Sequence, residues 1–142
     1  MNVERKYSFI IGFVSIFCMI FIGGCIQNIP DLDVPFQLKI NQVAFIKSEN
    51  IKIIFMDVTE DSRCPSDVEC IWEGQAIIVI NIFKNNQFIG DFNLTSRTGF
   101  DELAIKEFDG YSINLIKVEP YPISTQIIEL SDYIVTFNVS KI

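Results

Sequence analysis

The side chains most able to do chemistry crowd into one stretch, from Asp57 to Gly74, where Arg63, Cys64, Cys70 and Trp72 stand among Asp57, Glu60, Asp61, Asp67, Glu69 and Glu73. Histidine is absent from all 142 residues, which removes the commonest general base and the commonest zinc ligand. Acid–base catalysis would therefore fall to carboxylates, or to Tyr and Lys. Glu60, Asp61 and Glu73 could serve only if they converge in a cleft with raised pKa values. The same acidic groups offer hard oxygen ligands for calcium, but the D-x-D-x-D-G pattern is missing. Cys64 and Cys70 are not at C-x-x-C spacing and no helix start follows them, which argues against a redox pair. Nothing in the stretch commits the chain to a reaction or calls for a cofactor.

The N-terminus carries an address. It has a charged start (Arg5, Lys6), an apolar stretch from Phe9 to Ile22, and the ending Ile22-Gly23-Gly24-Cys25. The apolar stretch has signal-peptide length and falls short of the roughly 20 residues that span a bilayer as a helix. The ending resembles the lipobox of prokaryotic lipoproteins, an aliphatic residue and two small residues before a cysteine, with Ile22 in place of the usual leucine. That resemblance implies cleavage before Cys25, lipid on Cys25, and a body held at the outer face of a cell membrane. Two acyl chains on that cysteine would hold firmly where one is marginal. The rival reading is an uncut anchor; Arg5 and Lys6 keep the N-terminus cytoplasmic, so both readings put the body outside. Ile26 to Pro35, with Pro30 and Pro35 bracketing Asp31-Leu32-Asp33, reads as a tether whose ten extended residues reach at most about 35 Å. The expected organisation is a signal peptide at 1–24, an anchored tether at 25–35 and one domain at 36–142.

Of the 11 basic and 18 acidic residues the leader carries Arg5, Lys6 and Glu4, which leaves 9 and 17 in the mature chain and a net charge of −8. Such a surface repels nucleic acid and anionic headgroups, so no nucleic-acid partner is expected. With Cys18 in the leader and Cys25 as the lipid site, Cys64 and Cys70 are left over outside the cell, and one disulfide is expected between them. A zinc site would need two more soft or imidazole ligands, and the mature chain has neither.

From Phe36 onward the dominant period is two, the mark of strands. Phe36, Leu38 and Ile40 alternate with polar residues before the parity shifts to Val43 and Phe45, as a bulge would cause. Ile51, Ile53 and Phe55 follow. Ala76 to Phe83 is almost wholly aliphatic, suiting a central strand covered on both faces. Asn85-Asn86 offers a tight turn into Gln87 to Thr95. Ser96 to Asp109 is the least regular stretch, a loop or a short helical turn around Asp101-Glu102-Leu103. After Asp109-Gly110, Tyr111, Ile113 and Leu115 alternate. Gln126 to Leu130 reads as a short strand or loop, and Tyr133, Val135, Phe137 and Val139 alternate most clearly of all. About seven short strands with short connections predict an all-β fold, an antiparallel β-sandwich or small barrel.

The run Asp61-Ser62-Arg63-Cys64-Pro65, with Cys70-Ile71-Trp72-Glu73-Gly74-Gln75-Ala76 after it, resembles a signature of small prokaryotic secreted proteins and lipoproteins. In that group D-S-R-C-P, a short acidic or polar loop and C-x-W-x-G-x-A precede an aliphatic strand. Val118 to Pro122 and Tyr133-Ile134-Val135 are similar to its C-terminal half. The resemblance covers most of Phe36 to Ile142 and implies an architecture and an address, with no activity attached; Glu73 stands where many members have alanine.

Read physically, the segment is a rigid corner. Trp72 is expected to pack over the disulfide or into the sandwich end, Gly74 to permit a tight approach, and Arg63 to fork onto a carboxylate. In the functional reading the Cys64 to Gly74 loop recognises an envelope protein or glycan without catalysis, with Arg63, Asp67, Trp72 and Glu73 as the binding residues. Two alternatives stand beside it: a carboxylate enzyme, and an inhibitor that presents the disulfide loop to a protease. Phe100 and Tyr121 are further aromatics in irregular segments.

Overall fold

The computed structural model describes residues 28–142. The stretch read as a signal peptide and the expected lipid site Cys25 lie outside the described residues. Eight strands form two antiparallel four-stranded sheets, so the chain is a β-sandwich. The strands are β1 (Phe36–Lys39), β2 (Val43–Ile46), β3 (Ile51–Asp61), β4 (Ala76–Lys84), β5 (Gln87–Ser96), β6 (Ile105–Phe108), β7 (Tyr111–Glu119) and β8 (Ile134–Lys141). One sheet runs β2-β3-β4-β5 and the other β1-β8-β7-β6.

Side-chain alternation explains the core. Ile51, Ile53 and Phe55 of β3, Ile78, Ile80 and Ile82 of β4, and Val135, Phe137 and Val139 of β8 point between the sheets and are fully buried. Two hairpins have the turns their residues demand. Asn85 and Asn86 both take positive φ (52° and 63°) between Lys84 and Gln87, and Asp109 and Gly110 do the same (45° and 81°) between Phe108 and Tyr111. Such turns match the twist of the strands they join.

Three expectations are corrected. The parity shift after Ile40 is no bulge. Asn41 turns the chain with φ 62°, its N–H bonds the Phe55 carbonyl, and β1 and β2 belong to different sheets. Ala44 and Ile46 are therefore the buried residues of β2, while Val43 and Phe45 face outward. Strand β4 is central in its sheet, but a two-layer fold covers it on one face only. Its outer residues Ile77, Val79 and Phe83 are half-buried among same-face neighbours, with the Lys52 ammonium 4.0 Å above the Phe83 ring. The irregular stretch holds the short helical turn allowed for, a 3₁₀ turn at Asp101–Ala104, but also the unforeseen strand β6; of the two readings of Gln126 to Leu130, the loop holds for Gln126 to Glu129.

The segment before β1 is not free either. The Asn28 carbonyl accepts the Phe45 N–H of β2, and the Asn28 amide donates to the Gln37 carbonyl of β1. Further on, the Asp33 N–H bonds the Val139 carbonyl at 2.8 Å and Leu32 packs against the core. Residues 28–35 thus lace together two edge strands whose backbone groups would otherwise be open.

Candidate functional site

The β3–β4 pair does not stop at the ends of its strands. Beyond the Asp61–Ala76 pair, Ser62 N–H bonds the Gln75 carbonyl at 2.8 Å and Cys64 N–H bonds the Glu73 carbonyl at 2.9 Å. The hairpin is continued by two more rungs into the loop. Gly74 makes this possible, because its φ is 67° and a Cβ there would overlap the Ser62 carbonyl. Cys64 and Cys70 form the expected disulfide, with Cα atoms 5.9 Å apart. The bridged loop folds back on the body rather than projecting. Asp67 accepts hydrogen bonds from the Ser124 N–H (2.8 Å) and hydroxyl, and Ser66 N–H bonds the Pro122 carbonyl at 3.0 Å.

Arg63 sits beneath this loop, only 8% exposed. Its Nε and one terminal nitrogen fork onto the Asp61 carboxylate at 2.7 and 2.6 Å. The terminal nitrogens also donate to the Val118 carbonyl at 2.7 Å and the Pro120 carbonyl at 3.0 Å, and the guanidinium lies 5.0 Å from the centre of the Tyr121 ring. Tyr133 donates its hydroxyl to the second Asp61 oxygen at 2.9 Å. A charge taken out of water needs this many partners to be tolerated. Burial alone would raise the Asp61 pKa, but hydrogen bonds from Arg63 and Tyr133, with the Arg63 charge, more than cancel it and hold the carboxyl below its ordinary value. Burial and the bonded Asp61 carboxylate push Tyr133 up to about 12. The cluster ties the end of β3 to the end of β7 and so closes one end of the sandwich.

That closure explains where Trp72 goes. It was expected over the disulfide or in the sandwich end, but Arg63, Asp61 and Tyr133 already occupy that end. Trp72 is 81% exposed and its neighbour Ile71 is 91% exposed. The indole stands as a ridge between two open grooves of about 420 and 400 Å³. The first is lined by Glu60, Glu73, Gln75, Arg97, Thr98 and Phe100, the second by the disulfide, Pro65, Val68, Thr98 and Tyr121. Arg97 stacks on Phe100, its guanidinium 4.3 Å from the ring centre. Glu60 is held in place by the Ser62 hydroxyl (2.8 Å) and the Gln75 amide (3.2 Å).

The four proposed binding residues therefore divide. Arg63 is engaged with Asp61 and carbonyls inside the corner, and Asp67 with Ser124; both shape the loop. Trp72 and Glu73 face the grooves. Arg97, Thr98 and Gln75 were not singled out in the sequence, although the three-residue spacing of Arg97 and Phe100 was a signal for a turn that stacks them. Of the three carboxylates named for catalysis, Asp61 is turned to Arg63 and kept ionised, while Glu60 and Glu73 line one groove. Among the described residues no three acidic or cysteine side chains converge as a metal site. Comparison with protein-family models, with curated proteins and with solved structures gives no match.

Proposed function

We propose that the chain is a lipid-anchored module of the cell envelope, cut before Cys25 and acylated there, that binds a partner without catalysis through the ridge at Trp72. The observation that carries the binding half is the exposure of Trp72 on a corner whose other members are held by a disulfide, a buried ion pair and carbonyl bonds. An indole left in water forgoes roughly 4 kcal/mol of burial, taking about 150 Å² at about 25 cal/mol per Å². Tryptophan is also, with Tyr and Arg, one of the residue types enriched at the energetic centre of interfaces, because it adds contact area at small entropic cost. A carboxylate enzyme would lose Asp61 to its pairing with Arg63, and an inhibitor would need the disulfide loop to protrude, whereas Ser66 and Asp67 fasten it to the segment after β7. The envelope half rests on the Ile22-Gly23-Gly24-Cys25 ending.

Two measurements test the two halves. Intact mass and membrane partition should show the wild type shortened and carrying lipid, and the Cys25→Ser variant neither. A Cys25→Ser variant that stays membrane-bound at precursor mass would establish an uncut anchor instead. For binding, immobilised wild type and Trp72→Ala would be compared on detergent-extracted envelope, with Phe88→Ser on β5 as a surface control. A component retained by wild type and control but lost with Trp72→Ala is the expected result; equal retention by all three would remove Trp72 from the interface.

A further inference from the structure

The docking of residues 28–35 decides how the body stands on its membrane, if Cys25 carries the anchor as proposed above. A free tether would have let the sandwich tumble roughly 35 Å from the bilayer. Instead the chain is fastened at Asn28, to β2 through the Phe45 N–H and to β1 through the Gln37 carbonyl. Only three residue steps separate Cys25 from that point, about 11 Å at full stretch. The sheet itself is wider, since three strand spacings of about 4.8 Å put β5 roughly 14 Å from β2. A body held by a link shorter than its own width cannot turn its far edge to the surface that holds it.

The chemistry of the near edge fits such a surface. A groove of about 680 Å³ runs there between residues 28–30, residues 34–35 and β1. On a chain with a net charge of −7 its lining contains no carboxylate, and Lys39 is its one charged residue. Asp31 and Asp33 belong to the same segment but do not line it. Ile29 and Val34, at its rim, are 61% and 50% exposed. Apolar side chains in a patch free of acids can enter the headgroup layer, whereas carboxylates are held out of it by the cost of stripping their water.

We propose that the β1/β2 edge, led by Ile29 and Val34, is the face apposed to the bilayer that holds the Cys25 lipid. Trp72 then looks away from that membrane, because it shares its groove with Arg97, Thr98 and Phe100, which follow β5 at the opposite edge. The partner of the Trp72 ridge would be met on the side facing out.

The test uses the mature, lipidated protein reconstituted in phosphatidylcholine vesicles whose acyl chains carry a bromine quencher just below the headgroups. Trp72 is the only tryptophan, so its own fluorescence reports one site. A nitrobenzoxadiazole label at Val34→Cys, and separately at Phe88→Cys on β5, reports two more. Intact mass on the same sample first establishes whether Cys25 is acylated; lipid missing from Cys25 overturns the anchor and this orientation with it. With acylation established, several-fold stronger quenching at position 34 than at position 88, with Trp72 unquenched, is the expected result. Equal quenching at both labels, or quenching of Trp72, would leave the anchor standing and overturn the apposed edge.

Discussion

The two ends of the sandwich solve the same problem differently. At each end a cationic side chain from one sheet crosses toward the other. At the hairpin end Lys84 donates to the Glu49 carbonyl and to the Tyr111 hydroxyl, which in turn bonds the Glu49 carboxylate. The neighbouring connections, Asn85-Asn86 and Asp109-Gly110, are two-residue turns with no room for display. At the corner end Arg63 is buried, and three long connections meet above it, with the disulfide, Thr98 and Tyr121 lining one groove: Ser62 to Gln75, Arg97 to Ala104, and Pro120 to Tyr133. Exposed Trp72, Ile71, Phe100, Tyr121 and Ile127 all belong to these connections. One end closes the fold, and the other closes it and also carries a surface. Where the closing group is buried, the loops above it are relieved of that task and can hold apolar side chains outward.

The largest effect that would break this contrast is at Arg63. Replacing it by alanine leaves the Asp61 carboxylate buried without its counter-charge, which costs roughly 3–5 kcal/mol. Urea denaturation should show that loss, and a far smaller one for Lys84→Ala at the other end; equal losses would mean that the two ends are equivalent. Next comes the disulfide. Cys64→Ser with Cys70→Ser frees a seven-residue ring, and in the chain-entropy model this costs about 2 kcal/mol. The same double variant should increase the depolarisation of Trp72 fluorescence.

The pH profile sharpens the comparison further. Because Asp61 titrates below its ordinary value when folded, its contribution is complete above the unfolded pKa near 3.8 and is lost as pH falls through the lower folded value. Tyr133 runs the other way. Its contribution is complete below the unfolded value of 10 and is lost as pH rises toward about 12. Tyr133→Phe should therefore flatten the alkaline limb of a stability–pH curve, apart from the share due to Tyr111, whose pKa is also raised by its bond to Glu49. The smallest effect on stability is expected at Trp72. Trp72→Ala should shift unfolding by within about 0.5 kcal/mol, since a mostly exposed side chain supports little of the fold. A loss several times larger would show that the indole is structural and would remove the basis for its role in binding.

Much of the fold was legible because strands and turns are local. The alternation from Tyr133 to Val139, the Asn85-Asn86 turn and the pairing of the two remaining cysteines each depend on residues close together in the chain. The errors arose where a residue's fate depends on distant partners. The sequence Phe36 to Ile46 reads equally well as one bulged strand or as two strands in different sheets, and the Asn41 N–H bonded to the Phe55 carbonyl is what separates them. Within the site, Arg63 had six nearby carboxylates to choose from; Asp61 prevails because Tyr133 and the Val118 and Pro120 carbonyls complete its surroundings from the other sheet.

By itself the sequence determined the class of fold, the hairpin turns, the disulfide pair and an N-terminal ending that resembles a lipidation site. These follow from periodicity, from backbone preference and from counting cysteines. Tertiary structure alone decided that Trp72 stands in solvent, that Asp67 is tied to Ser124 and Arg63 to Asp61 in particular, and that the segment from Asn28 to Pro35 is pinned to the sandwich. Each of those outcomes is a competition for space or for a hydrogen-bond partner between residues far apart in the chain. Periodicity carries no record of such a competition.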